Sequence, residues 1–401
     1  MNERGFNLIF LHRNPPEPSV PSAPSAHART SFIYDSAGQQ TAIIDPRSNR
    51  FSFGYDNAGR LQYQQDSLAN RTTYQYDSAG RNTTVTDATN AVKTLAYDSV
   101  GRLVTIAYAA SGRVTLHYDA VGRRTTMIDS VGTTTYAYSD RGELIRKSLP
   151  GGYVLNMEYD SVGNRTKLTD PDSGVFTYTF DELDRISATL DPDANRTTYQ
   201  FDSGSRRVTM LDGNGVSRKY QYDNADRLTT QIDYDHLNTP IITMVDSYDS
   251  VGNRSGRTKD GTVITWVYDA GYRLVSQIWS GSRASFIYDN AGNITTKWQE
   301  GTNPITTVFD SANRITTSAQ GSTVTTFTYD NNGNPTVENA AGSLTSYSYD
   351  NENRLTGIVF PNATRSTYQY NGDGQRETAN EAGAGLVTFI WDGDDYLMEK
   401  N

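Results

Sequence analysis

The sequence predicts an all-β chain: tandem β-hairpins joined into one long antiparallel, spirally curved sheet. Three observations predict it. Tyr, Thr and Val, which favour strands, are combined with abundant Gly, Asn and Asp, which favour turns. Aromatic residues reach 11%, with 27 Tyr, so the low apolar fraction of 36% does not signal disorder. Above all, one phrase recurs at a fixed period of 20 or 21 residues, and such a period marks a repeat architecture.

The elements follow in order. Residues 1–30 contain "RNPPEPSVPSAPSAHA". Prolines remove backbone donors and favour an extended chain, so this stretch is expected to be a tail or linker. From residue 31 to 401 a single array is expected, without a domain boundary. Its anchors are Tyr34, Tyr55, Tyr76, Tyr97, Tyr118, Tyr138, Tyr159, Phe180, Phe201 and Tyr222. After one 26-residue step come Tyr248, Tyr268, Tyr288, Phe309, Tyr329, Tyr349, Tyr370 and Trp391.

Within each unit, as in "TTYQYDSAGRNTTVTD", alternation places Tyr74 and Tyr76 on one strand face. Asp77 is suited to cap a type I turn, and Gly80 to take the positive φ that closes a three-residue hairpin loop. The corresponding glycines are Gly38, Gly59, Gly101, Gly122, Gly142, Gly163, Gly252, Gly292, Gly333 and Gly374. Asp184, Asp226, Asn313 and Asn353 stand in elsewhere, since Asn and Asp tolerate left-handed backbone. At Ser205 and Tyr272 the Gly lies one place earlier, which suggests a re-registered turn. A second, looser turn such as "DATN" leads into the next unit. The 26-residue step, containing "YDHLNTP", is expected to bulge outward as a loop. The last unit is expected to lack its second strand, leaving an edge open to self-association.

A lone hairpin is marginal in water, so the units must stack on one another, with the anchor rings forming a ladder. A twisted sheet of some thirty-six strands must curl rather than stay flat.

The remaining composition narrows function. Net charge is −10 and Lys and Arg form no run longer than two, which lacks the footprint of a nucleic-acid binder. No apolar run is long enough for a helical membrane span, and no signal peptide stands out. With no Cys, neither disulfides nor thiolate metal sites can form. His12, His27, His117 and His236 have no metal-ligand spacing, and no catalytic motif appears. "DPDANR" and "DNNGNP" begin like calcium loops but lack the Gly and Glu that such loops need. No catalytic residue, cofactor or metal is therefore expected.

The phrases "YDSVGNRT", "YDAVGRRT", "YDNAGRL" and "YDSAGRNTT" resemble the YD repeats of RHS (rearrangement hotspot) proteins, which also occur in shell subunits of insecticidal toxin complexes and in teneurins. The resemblance covers about residues 31–401. It implies a hollow β-shell, here partial, that encloses a C-terminal toxin for delivery to rival cells. It also implies a secreted or cell-surface location. The expected partner is toxin cargo or the RHS core domain. The chain departs from the family in having no "DHLGS"-like core or autoproteolytic aspartates. It stops at "FIWDGDDYLMEKN", which resembles the stretch before that core, and so reads as a truncated array. Three readings remain open: a non-catalytic shell segment, a binding module for cell-surface glycans or a partner protein, and an enzyme.

Overall fold

The structure is a computed structural model that describes residues 28–109 and 112–401. The Pro-rich segment lies outside the described residues as far as position 27. Among the described residues thirty-six strands run from β1 (Ser31–Tyr34) to β36 (Asp395–Lys400), with a single 3-10 turn at Pro150–Gly152. Each strand pairs antiparallel with the next in sequence, from β1–β2 to β35–β36 (β35, Gly385–Asp392). Among the described residues no pairing joins β1 to β36, so the sheet is unclosed.

One hairpin shows why the phrase folds as it does. β5 (Arg71–Tyr76) and β6 (Asn82–Thr86) pair with Tyr74 opposite Val85 and Tyr76 opposite Asn82. The Asp77 N–H donates to the Arg81 carbonyl (2.9 Å) and the Gly80 N–H to the Asp77 carbonyl (3.0 Å). That is a type I turn closed by a residue with positive φ. The register then slips between Gln75 and Tyr76, leaving Thr83 as an extra residue. The same slip recurs at every anchor, through to Ile390/Trp391. A bulge sharpens the right-handed twist, so a bulge at a fixed place in each hairpin coils the sheet steadily in one sense.

Four expectations need correction. Ser205 and Tyr272 do not re-register their turns: they sit at the left-handed position themselves, with φ of 61° and 62°. Their N–H groups donate to the Asp202 and Asp269 carbonyls like the glycines elsewhere. The second, or return, turn is not looser. Asp87–Ala91 repeats the same two hydrogen bonds, with Asn90 at φ 66°. The 26-residue step forms no outward loop. Asp235–Thr239 is another five-residue turn, and the extra residues lengthen β20 (Leu228–Tyr234) and β21 (Pro240–Tyr248). The last unit has its second strand, β36.

Beyond this step several return turns shrink to two residues, as at Asp260–Gly261 and Ala341–Gly342, with both residues at positive φ. This is the type I′ geometry suited to twisted hairpins.

The core lies on the anchor face. Leu155 and Met157 precede Tyr159 by four and two residues, and Leu168 pairs with Met157. With Leu149 and Ile390 these form a buried cluster. Val114 and Leu116, before Tyr118, form a second with Met127, which pairs with Leu116. Ile390 reaches the first cluster because the sheet spirals back on itself.

Candidate functional site: the repeat ladder and the winding seam

Most anchor turns are held by one carboxylate, with Ser139 and Asn371 in its place after Tyr138 and Tyr370. Asp77 Oδ1 accepts from the Ala79 and Arg81 N–H groups, both at 2.9 Å, and Oδ2 accepts from Arg81 Nε at 2.7 Å. The Arg81 N–H, and after it the guanidinium acting against slight burial, hold the carboxyl below its ordinary range. Ten turns carry this Asp–Arg pair, and in four others Asn donates in place of Arg, as Asn164 does to Asp160.

The arginine also reaches forward. Arg102 Nη1 donates to the Asp119 carbonyl of the next hairpin at 2.9 Å, and its guanidinium lies 5.0 Å from the centre of the Tyr118 ring. Arg60, Arg227 and Arg354 repeat the stacking on Tyr76, Tyr248 and Tyr370. The anchors reach backward. Tyr118 Oη donates to the Leu103 carbonyl (2.8 Å), the first residue of the preceding second strand, and eleven further anchor tyrosines repeat the bond. Trp391 Nε1 does so to Arg376. Successive anchors are thus bridged by arginine; the two ring-to-ring pairs among the described residues both involve Tyr396. The recurring Arg, five places after ten of the anchors, is a ladder residue that local pattern did not single out, although its fixed position was visible.

The eleven turn glycines have φ between 78° and 99°, and Asp184, Asp226, Asn313 and Asn353 between 56° and 61°. His117 is exposed opposite the anchor face, and His236 is exposed in a return turn. The two calcium-like stretches form ordinary turns at Asp191 and Asp330. Among the described residues no cluster of His, Cys, Asp and Glu could hold a metal ion.

The spiral closes on itself along a polar seam. Return turns of the first hairpins meet anchor turns twelve or thirteen hairpins later, and the eighteenth hairpin meets the seventh. Asn332 Nδ2 donates to Asp87 Oδ2 at 2.7 Å, and the Ala88 N–H donates to Asn332 Oδ1 at 3.0 Å. Glu352 binds Lys93 at 3.0 Å and accepts from Tyr108 Oη at 2.5 Å. Arg124 grips Asp373 with two bonds, 2.6 and 2.7 Å, and the Gly372 N–H donates to Asp129 at 2.6 Å. Arg165 pairs with Asp392 at 2.6 Å, and Lys400 pairs with Asp172. Behind these contacts Lys147 and Glu377 are buried. Burial pushes the Lys147 amine below its ordinary range and the Glu377 carboxyl above its own. Between the second and fourth hairpins the windings stand apart around a cleft of ≈ 550 Å³, lined by Phe51, Phe53, Tyr74 and many amide side chains. Asn351 Nδ2 is buried there without a hydrogen-bond partner.

A hairpin array bound by Tyr–Asp–Gly–Arg turns and coiled over its own first winding is the architecture of a YD-repeat shell. The chain belongs to the teneurin YD-shell family, whose profile matches residues 67–195 and 280–379. An RHS Repeat profile matches residues 34–67. No curated protein sequence matches significantly. Among solved structures, a mutant Tc holotoxin pore from Photorhabdus luminescens has TM-score 0.77 at 16% identity, covering 90% of this chain and 22% of that one. The TcdB2-TccC3-Cdc42 crystal structure has TM-score 0.78 at 17% identity over the same shares. TcdB2-TccC3 has 0.71 at 16% identity, covering 92% of this chain and 23% of that one. These likenesses establish the fold, and the chain spans under a quarter of the length of those neighbours. Among the described residues no helix is long and apolar enough to cross a membrane.

Proposed function

We propose that the chain is a non-catalytic segment of a secreted or cell-surface β-shell whose anchor face wraps a polypeptide cargo, a toxin destined for a competing cell. The seam carries the reading. A free-standing adhesive sheet has no need to lock one winding onto the next, whereas a container wall does. The likeness in fold to TcdB2-TccC3 supports it. So does the use of the recurring turn Asp and Arg for internal bonding, which leaves them tied to their turns rather than free for chemistry.

The test is co-expression of the full chain with the polypeptides encoded beside it, followed by pull-down and protease digestion. One of them should co-purify and resist digestion while bound. The purified chain should leave DNA and RNA intact in the presence of divalent metals. Glycan capture with no polypeptide retained would favour the adhesive role. Nucleic-acid cleavage abolished by His117→Ala or His236→Ala would overturn the non-catalytic one.

A further inference from the structure

The seam closes tightly over one stretch of the anchor face and stands off another. In the turn after Tyr370 the second residue is Gly372, where a Cβ would lie 2.7 Å from Val114 Cγ1 and 2.9 Å from Met127 Sδ. Only bare backbone fits so low, and beneath it Val114 and Met127 are 7% and 1% exposed. Ile390 likewise packs with Leu155 and Leu168.

The two preceding anchor turns carry Asn at that second place, Asn331 and Asn351. Beneath them the windings part around the cleft of ≈ 550 Å³. Its floor nevertheless repeats the core pattern of the closed stretch. Phe51 stands four residues before its anchor, as Val114 and Leu155 do; Ile43 and Val85 stand nine after theirs, as Met127 and Leu168 do. Here these side chains are only half-buried. The charged groups at the rim are paired, Lys93 with Glu352 at 3.0 Å and Asp87 with Asn332 at 2.7 Å. An apolar floor and one buried donor without a partner, Asn351 Nδ2, border the space.

We propose that the cleft binds an extended, uncharged segment of a polypeptide. An aliphatic or aromatic side chain of the segment rests on the floor, and one of its backbone carbonyls accepts from Asn351 Nδ2. A buried donor left without an acceptor is costly, and such a carbonyl supplies the acceptor. What lies on the equivalent positions elsewhere argues for a polypeptide: a turn backbone over Val114 and Met127, and Ile390 against Leu155 and Leu168. The paired rim charges favour a neutral segment, and the volume falls in the range of formed ligand sites. The identity of the polypeptide rests on the container reading: it is the cargo, gripped by the wall at this one place.

The chain has no cysteine, so a single introduced thiol reports without background. Thr72→Cys places one on the cleft floor, and Thr73→Cys places one on the opposite face of the same strand. The peptide acetyl-Gly-Ser-Ile-Leu-Ser-Gly-amide, at about ten times its dissociation constant, should slow iodoacetamide alkylation of Thr72→Cys about tenfold and spare Thr73→Cys. Asn351→Gly, which gives this turn the residue of the closed one, should abolish that protection at unchanged circular dichroism. Asn351→Ala keeps the Cβ and removes the donor, and should weaken binding about tenfold. Equal alkylation with and without peptide, or protection by maltohexaose in place of the peptide, would overturn the proposal. Bound cargo should protect Thr72→Cys as the peptide does. Cargo retained while Thr72→Cys reacts freely would remove the cleft and keep the container. Protection by the peptide with no cargo retained would keep the cleft and remove the container.

Discussion

Tyr118 is bound three ways: its ring packs beside Val114, Leu116 and Met127, its hydroxyl donates to Leu103, and Arg102 lies on its face. Tyr118→Phe removes only the hydroxyl bond and should cost about 1 kcal/mol. Tyr118→Ala removes all three and should cost about 3 kcal/mol or more. Phe180, Phe201 and Phe309 already fill the anchor place in three hairpins, so the milder change must be tolerable. Thermal melts of the two variants check the order, and equal shifts would discard the three-part account. At Gly101, φ is 89° and an added Cβ would meet nothing closer than 3.7 Å, so any penalty is backbone strain rather than a clash. Gly101→Val should destabilise by more than about 1 kcal/mol, while Ser99→Val beside it does little. At Tyr272, with φ 62°, the sign reverses, and Tyr272→Gly should raise the melting midpoint. The role of Asp77 is readable from five residues. The role of Arg81 is not, because its carbonyl and ring partners belong to the next hairpin.

Hairpins were legible as units because turn chemistry and alternation are local. The bulge at every anchor was not legible, since a slip of pairing leaves no mark in composition. The 26-residue step misled because a longer period suggests a longer loop, whereas β20 and β21 simply lengthen. That longer pair contains Asp246, buried against Arg257 with bonds of 2.6 and 2.7 Å. Burial alone would raise its carboxyl, but the Arg257 and Arg254 guanidiniums hold it below its ordinary value. A carboxyl depressed in the folded state stabilises above its unfolded pKa, and that stability is lost as pH falls through the folded value. Asp246→Asn should therefore melt earlier than the parent at neutral pH. The gap should close below about pH 4, the ordinary carboxylate range. A gap that persists in acid would assign the loss to packing instead.

For the whole molecule, curling was expected from twist, but the seam could not be read from local pattern because its partners lie 227 to 268 residues apart. One signal did exist: the third turn residue changes from Ala or Val in early hairpins to Asn332, Glu352 and Asp373 in late ones. Arg124→Glu places like charges at Asp373 and should part the windings without melting the hairpins. Small-angle scattering should then show a larger radius at unchanged circular dichroism. Raised salt should widen the unmodified spiral in the same direction, though less, because its pairs are partly sheltered. An unchanged radius for Arg124→Glu would mean that the apolar cluster around Leu155 and Ile390 alone closes the spiral.

A separation of eleven to thirteen hairpins between seam partners amounts to a rule about copy number. Near-identical tandem units invite in-frame gain or loss of whole repeats, and one hairpin more or fewer leaves every local bond intact. Between the fifth and sixteenth anchors, however, such a change slides Glu352 away from Lys93 and Asp373 away from Arg124 together. Ahead of the first anchor or beyond the last it disturbs neither pair. Repeat number should therefore drift freely at the ends of this lineage's arrays and stay fixed in the interval that spans one full turn of the spiral.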